Sequence, residues 1–293
     1  LLRDLDTHKE NILHLVYAEA SKARKDTAYA TEDAVYRHWD HNLPMNRVPH
    51  ILMLDIASGR VTDLLEGSGY ELPRREPSAN EFAISPDGQS ICFVHDPDKA
   101  KNPAPRMALA EIELKGSRVV AVRDLVKNKD WDFAGPAYSP TGAQLAFLAS
   151  HQSLKHTQPS HLALLEMQAQ KATQTKKQGA AWKTISAHWD REPQAPLKWS
   201  EDGSALLCKA EDKGRQHVWR FDIATSQPTV VSEGGTVHAF DEAAGQLVTL
   251  MDRAIHPGRI HVMKVNESGQ AASSECKRIE HFNDDLLDGI ALG

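Results

Sequence analysis

Apolar and polar positions along the chain come in short alternating runs, and the clearest is Phe82 to Val94, Phe-Ala-Ile-Ser-Pro-Asp-Gly-Gln-Ser-Ile-Cys-Phe-Val. Two apolar stretches flank a turn whose chemistry reverses the chain. Pro86 fixes φ, Asp87 can bond its own backbone and Gly88 accepts a positive φ, so the spacing predicts a hairpin. The pattern returns as Tyr138-Ser-Pro-Thr-Gly142 before Gln144 to Ala149, and as Leu197-Lys-Trp-Ser-Glu-Asp-Gly203 before Ala205 to Lys209. A degenerate copy reads Phe240-Asp-Glu-Ala-Ala-Gly245 before Leu247 to Leu250, and the weakest lays Asp6 to Ile12 over Ser85 to Ile91. The run 144–149 has almost no polar alternation, the signature of a strand buried on both faces.

Each copy continues with further strand-like runs, for example 106–113 and 119–125 in the second and 218–223 and 229–232 in the fourth. Asp222-Ile-Ala-Thr-Ser226 repeats the turn Asp55-Ile-Ala-Ser-Gly59. Turn starts at 85, 139, 200 and 241 lie 54, 61 and 41 residues apart, close to the ~40 to 50 residues of one propeller blade. Four strands per repeat and no long amphipathic helix predict an all-β chain, a β-propeller of four-stranded antiparallel blades. About five blades are expected, over 1–65, 81–125, 135–186, 197–232 and 237–280, with 281–293 as a linker. They would close a ring or form part of a seven- or eight-bladed one. Two stretches interrupt the repeats: a polar excursion over 18–48, long enough to suggest a function, and a Gln/Lys/Thr-rich loop over 168–181.

Composition narrows the function classes. The 293 residues are 41% hydrophobic and 25% charged, with a net charge of −6 and both signs well mixed. There is no basic footprint for nucleic acid and no polybasic patch for a membrane. No apolar run approaches the ~18 residues of a membrane span, and Leu-Leu-Arg-Asp-Leu-Asp at the start lacks a signal-peptide pattern. Cys92, Cys208 and Cys276 sit in strand-like runs and read as small core residues rather than a disulfide set. Ser85, Ser139 and Ser200 open turns, where a hydroxyl bonds nearby backbone, and no His recurs beside them at a fixed offset, so they read as structural. Trp131, Trp199 and Trp219 read as blade packing.

The Ser-Pro-Asp-Gly unit followed by Asp-Ile-Ala-Ser-Gly resembles the repeat of TolB-like propellers and, equally, of the propellers in the prolyl oligopeptidase family of serine peptidases. Val35-Tyr-Arg-His-Trp-Asp40, His50-Ile-Leu-Met-Leu-Asp-Ile56 and His281-Phe-Asn-Asp-Asp-Leu-Leu287 resemble the bacterial dipeptidyl peptidase and acylaminoacyl peptidase branch. The resemblance implies a propeller that gates access of short peptides to an α/β-hydrolase domain of the same protein, with no cofactor and no metal. It favours a periplasmic over a cytoplasmic setting. The sequence contains no Gly-x-Ser-x-Gly, the frame a nucleophile elbow needs. It ends at Gly293, about where a hydrolase domain would begin, so the chain is expected to be inactive alone. The alternative is a TolB-like interaction module with no enzyme attached; a lyase-type enzyme working in the central funnel is a third class. An incomplete ring would expose blade faces and favour a homo-oligomer.

The candidate substrate-binding residues lie in the excursion. Arg37 or Asp40 would meet a peptide terminus while Trp39 stacks on an apolar side chain, with His38 beside them. The competing reading has Trp39 plugging the blade while Asp40 and the histidines bond local backbone. A metal set of His38, Asp40 and His41 lacks a recognised ligand spacing. Glu32 and Asp33 are candidates for holding a substrate's free amine, as propeller carboxylates do in some exopeptidases of this family; otherwise they are a solvated pair.

Overall fold

A computed structural model describes residues 37–38, 41–42, 48–74, 77–97, 106–152, 158–167, 181–232, 234–265 and 276–291. Within them the Ser-Pro turns follow from their side chains. Ser85 Oγ donates to Asp87 Oδ1 at 2.6 Å and accepts from the Ser90 N–H at 2.9 Å, while Asp87 Oδ1 accepts from the Gln89 N–H at 2.9 Å. Ser200 and Asp202 repeat this clamp, with corresponding distances of 2.7, 2.9 and 2.9 Å. In the middle copy Thr141 replaces the acid and accepts from the Ala143 N–H at 3.3 Å. Gly88, Gly142 and Gly203 take φ of 67°, 69° and 71°, which a Cβ disfavours. The turn serines are thus structural, as their sequence context indicates.

Each turn joins the first two strands of an antiparallel meander. A two-residue pair, β1 (Arg37–His38) with β2 (His41–Asn42), and a hairpin, β3 (Leu52–Leu54) with β4 (Val61–Asp63), come first. Four complete four-stranded sheets follow. They are β5 (Phe82–Ile84), β6 (Ser90–His95), β7 (Ala108–Lys115) and β8 (Arg118–Val126); then β9 (Trp131–Tyr138), β10 (Gln144–His151), β11 (Ser160–Glu166) and β12 (Trp182–Thr184). The third comprises β13 (Gln194–Trp199), β14 (Ala205–Asp212), β15 (Arg215–Asp222) and β16 (Pro228–Val230). The last is β17 (Thr236–Ala243), β18 (Gln246–Arg253), β19 (His256–Lys264) and β20 (Lys277–Arg278), followed by one helical turn, α1 (Asp284–Leu287). Four-stranded antiparallel blades are therefore present as predicted, and the chain is a β-propeller. The weakest copy, over Asp6 to Ile12, and most of the loop 168–181 lie outside the described residues.

Packing explains the apolar second strands. In β6, Ile91 and Phe93 face back onto Ile51, Leu64 and Leu72, while Cys92 and Val94 face forward onto Phe133, Leu145 and Phe147. In β10, Leu145 and Phe147 face back and Ala146 and Leu148 forward, onto Leu206 and Cys208 of β14. Successive side chains thus serve successive interfaces, the period of two that a strand imposes. Phe147 meets Phe133 edge-on at 5.6 Å, an arrangement worth about 0.5–1.5 kcal/mol beyond area burial. The last blade packs backward through Leu247 and Met251, but Leu250 on its forward face is 38% exposed.

The cysteine expectation needs one correction. Cys92 and Cys208 are buried, but Cys276 is exposed on the approach to the short edge strand β20, where the blade leaves it no interior to enter. No helix among the described residues is long and apolar enough to cross a membrane.

The turn clamp makes a pH-dependent prediction. Hydrogen bonds from the Ser200 hydroxyl and then from Ser204 hold the Asp202 carboxyl down, at about 2, against about 3.9 for an unfolded Asp. Its contribution is therefore present above the unfolded value and is lost as pH falls through the folded one. Asp202→Ala is expected to cost about 1 kcal/mol near neutral pH, by analogy with other side-chain caps. Urea denaturation of both proteins checks this, and the difference between them should shrink steadily below pH 4.

Candidate functional site at the inner strands

The first strand of each complete sheet has a single hydrogen-bonded neighbour, so β5, β9 and β13 each keep a free edge. These three strands lie side by side. They line a groove of about 500 Å³: Phe82, Ile84 and Pro86 on one wall, Pro136, Tyr138 and Pro140 on the second, and Pro196, Lys198 and Trp199 on the third. Asn80 borders it from a short 3-10 turn, Ala79–Glu81. The residue just before each turn serine, namely Ile84, Tyr138 or Trp199, reaches the groove in all three blades.

Local backbone irregularity shapes this surface. The β9–β10 register shifts between Ala146 and Leu148, opposite Gly135 and Pro136, and the β13–β14 register shifts between Gln194 and Lys198, around Pro196. Such bulges bend a strand and re-aim its side chains. Gly135 adopts φ +57°, and a Cβ there would stand 3.1 Å from that of Ala195, so both conformation and space require glycine. Along the rim, Pro86 packs beside Gly142 and Pro140 beside Gly203, so each turn leans on the next.

The groove's chemistry is that of binding. Lys198 is its one charged lining residue, and Lys198 Nζ sits 2.9 Å from Asp241 Oδ1. That bond holds the Asp241 carboxyl below its usual range. Burial, with Cys92 and Glu111 adjacent, pushes the Tyr138 phenol far up, so it stays neutral. Trp199 Nε1 donates to the Ala137 carbonyl at 3.0 Å, a bond from one blade to the edge of its neighbour. Ser139 also lines the groove, but its Oγ accepts from the Gln144 N–H at 3.0 Å and no His or carboxylate lines the groove beside it. Among the described residues no group of three or more His, Cys, Asp or Glu is placed to hold a metal ion.

None of the described residues that line the groove was among the candidates from sequence. Arg37 and His38 form β1, in register with Asn42 and His41. Glu32, Asp33, Trp39 and Asp40 lie outside the described residues. His50, near them in sequence, pairs with Asp63 at 2.7 Å across the base of the β3–β4 hairpin. A second, smaller cavity of about 150 Å³ also went unseen in the sequence, since Tyr70, His95 and Asp124 come from three separate segments. There Tyr70 Oη donates to Asp124 Oδ1 at 3.2 Å, and His95 Nε2 lies 2.9 Å from the same oxygen. Burial raises the Tyr70 phenol.

Comparison with known proteins places this geometry. No protein-family model matches the chain. Over 179 residues it is 22% identical to dipeptidyl-peptidase 5 of Aspergillus fumigatus, covering 55% of this chain and 22% of that protein. The chain thus matches about a fifth of the length of this curated relative. A Mycobacterium tuberculosis puromycin-hydrolyzing peptidase superposes with a TM-score of 0.53 and 16% identity, over 78% of this chain and 35% of the peptidase. Oligogalacturonate lyase of Vibrio parahaemolyticus gives a TM-score of 0.53 and 12% identity, over 76% of this chain and 59% of the lyase. Fold and repeat together define a β-propeller. Within that class the sequence resembles the propeller of prolyl oligopeptidase-family peptidases, the dipeptidyl peptidases among them.

The bond from Trp199 to Ala137 joins two walls of the groove. Trp199→Phe keeps an aromatic side chain but loses the indole donor and part of its volume, and should cost about 1 kcal/mol or more. Thermal unfolding with intact near-ultraviolet circular dichroism would check this.

Proposed function

We propose that the chain is the non-catalytic, substrate-gating propeller of a serine peptidase acting on short peptides, working with an α/β-hydrolase domain of the same protein. The sequence likeness to dipeptidyl-peptidase 5 carries this reading. The fold likeness alone favours neither peptidase nor lyase, because the TM-scores are equal. The groove adds support by offering a binding surface whose one charged lining residue, Lys198, is paired with Asp241. In this reading Glu32 and Asp33 hold the substrate's free amine, and Arg37, His38, Trp39 and Asp40 face its first residues.

The chain by itself should hydrolyse no aminoacyl or dipeptidyl chromogenic substrate and take no label from a fluorophosphonate, whereas the whole gene product should do both. Labelling of this chain alone would overturn the assignment. A whole gene product with no segment carrying Gly-x-Ser-x-Gly would favour the interaction-module reading. Replacing Glu32 and Asp33 by Gln and Asn in the whole enzyme should raise KM for free-amine dipeptidyl substrates about tenfold or more, as expected for loss of charge-assisted bonds. N-acylated substrates should be unaffected, and unchanged kinetics on both would remove the amine-holding role.

A further inference from the structure

We infer that the groove between β5, β9 and β13 is a subsite that selects one apolar side chain of an extended peptide, an inference that rests on the peptidase reading above. Its volume of about 500 Å³ falls within the ~300–1,000 Å³ of ordinary ligand sites. Its walls mix apolar side chains with a few polar groups, Asn80, Ser139 and Lys198 among them. Phe82, Ile84, Pro136, Pro196 and Trp199 present carbon, and the bulges at Gly135 and Pro196 set their directions. Ile84 is 59% exposed, an apolar side chain on an inner strand with no cover among the described residues.

Charge argues for the same occupant. Lys198 is offset by Asp241 at 2.9 Å, so the groove has no unbalanced charge to attract an ionised side chain. Such a side chain would lose its water here without gaining a partner. The strand edges add a directional element. Pro136 and Pro196 carry no N–H, so β9 and β13 each carry one backbone donor fewer than acceptors. The Ala137 carbonyl already takes a donor from outside its own sheet, the Trp199 indole. An extended peptide supplies what this surface lacks, N–H donors at its backbone and an apolar side chain between them. A passive opening would select by width alone, whereas this surface selects by side-chain character.

The test uses this chain and three fluorescein-labelled hexapeptides, Ala-Ala-Xaa-Ala-Ala-Ala with leucine, aspartate or lysine as Xaa, followed by fluorescence anisotropy. The leucine peptide should bind at least about tenfold more tightly than the other two, the factor expected for burying one such side chain. Ile84→Asp, at an exposed position, should abolish that preference. Asn80→Trp, which fills the groove from its border, should weaken binding of the leucine peptide without introducing charge. Equal binding of the three peptides, no measurable binding of the leucine peptide, or an unchanged preference in both folded variants would overturn the inference. Hydrolysis by the whole gene product is measured in parallel. Hydrolysis without leucine preference would sink the subsite alone, while absence of hydrolysis would sink the peptidase reading.

Discussion

The structure depends on burial of the second strand of each blade from both sides. A lone four-stranded sheet whose middle strand reads Leu145-Ala-Phe-Leu-Ala149 would leave one apolar face in water, so the unit is stable only between neighbours. Alternation of side chains then fixes the register, because a slip of one residue would exchange the two faces. Phe147 and Ala149 belong to one interface, Ala146 and Leu148 to the next. The same logic explains why the forward face of the last blade, with Leu250 half uncovered, looks like a surface built to be packed.

The turn serines connect that packing to the groove. The clamp made by Ser85, Ser139 or Ser200 sets where the first strand ends and the second begins. With the turn fixed, the residue before the serine borders the groove; Ile84 is exposed there, while Tyr138 and Trp199 also pack into the blade interfaces. Packing of Pro86 beside Gly142 and Pro140 beside Gly203 holds successive turns at a constant offset. The groove is therefore a by-product of blade architecture whose chemistry is set at one variable position per repeat.

That division explains what the sequence makes legible. The blades are readable because the repeated turn and the two-faced strands are local patterns, and Phe82–Ile84, Ser90–His95 and Gln144–His151 lie where those patterns put them. The first strands of the later blades are harder. Trp131–Tyr138 contains Gly135 and Pro136, and Gln194–Trp199 contains Pro196, residues that locally argue against strand. They are tolerated because these are edge strands with bulges, which is a property of the sheet and not of the segment. Cys276 was misread for the converse reason, since a strand-like run at a sheet edge buries little. The groove itself combines three segments more than fifty residues apart, and the only advance signal was the large apolar residue preceding each turn serine.

Fold likeness cannot assign chemistry here, because the same superposition is reached by a peptidase and by a lyase. What differs between such proteins is which groups the inner strands and loops present. A lyase-type reaction in the funnel would need acids, histidines or a metal converging from several blades. Among the described residues the groove instead presents prolines, aromatics, Ile84 and Leu197, with Asn80, Ser139 and a lysine paired to Asp241. Such a surface is suited to holding an apolar segment of a bound chain.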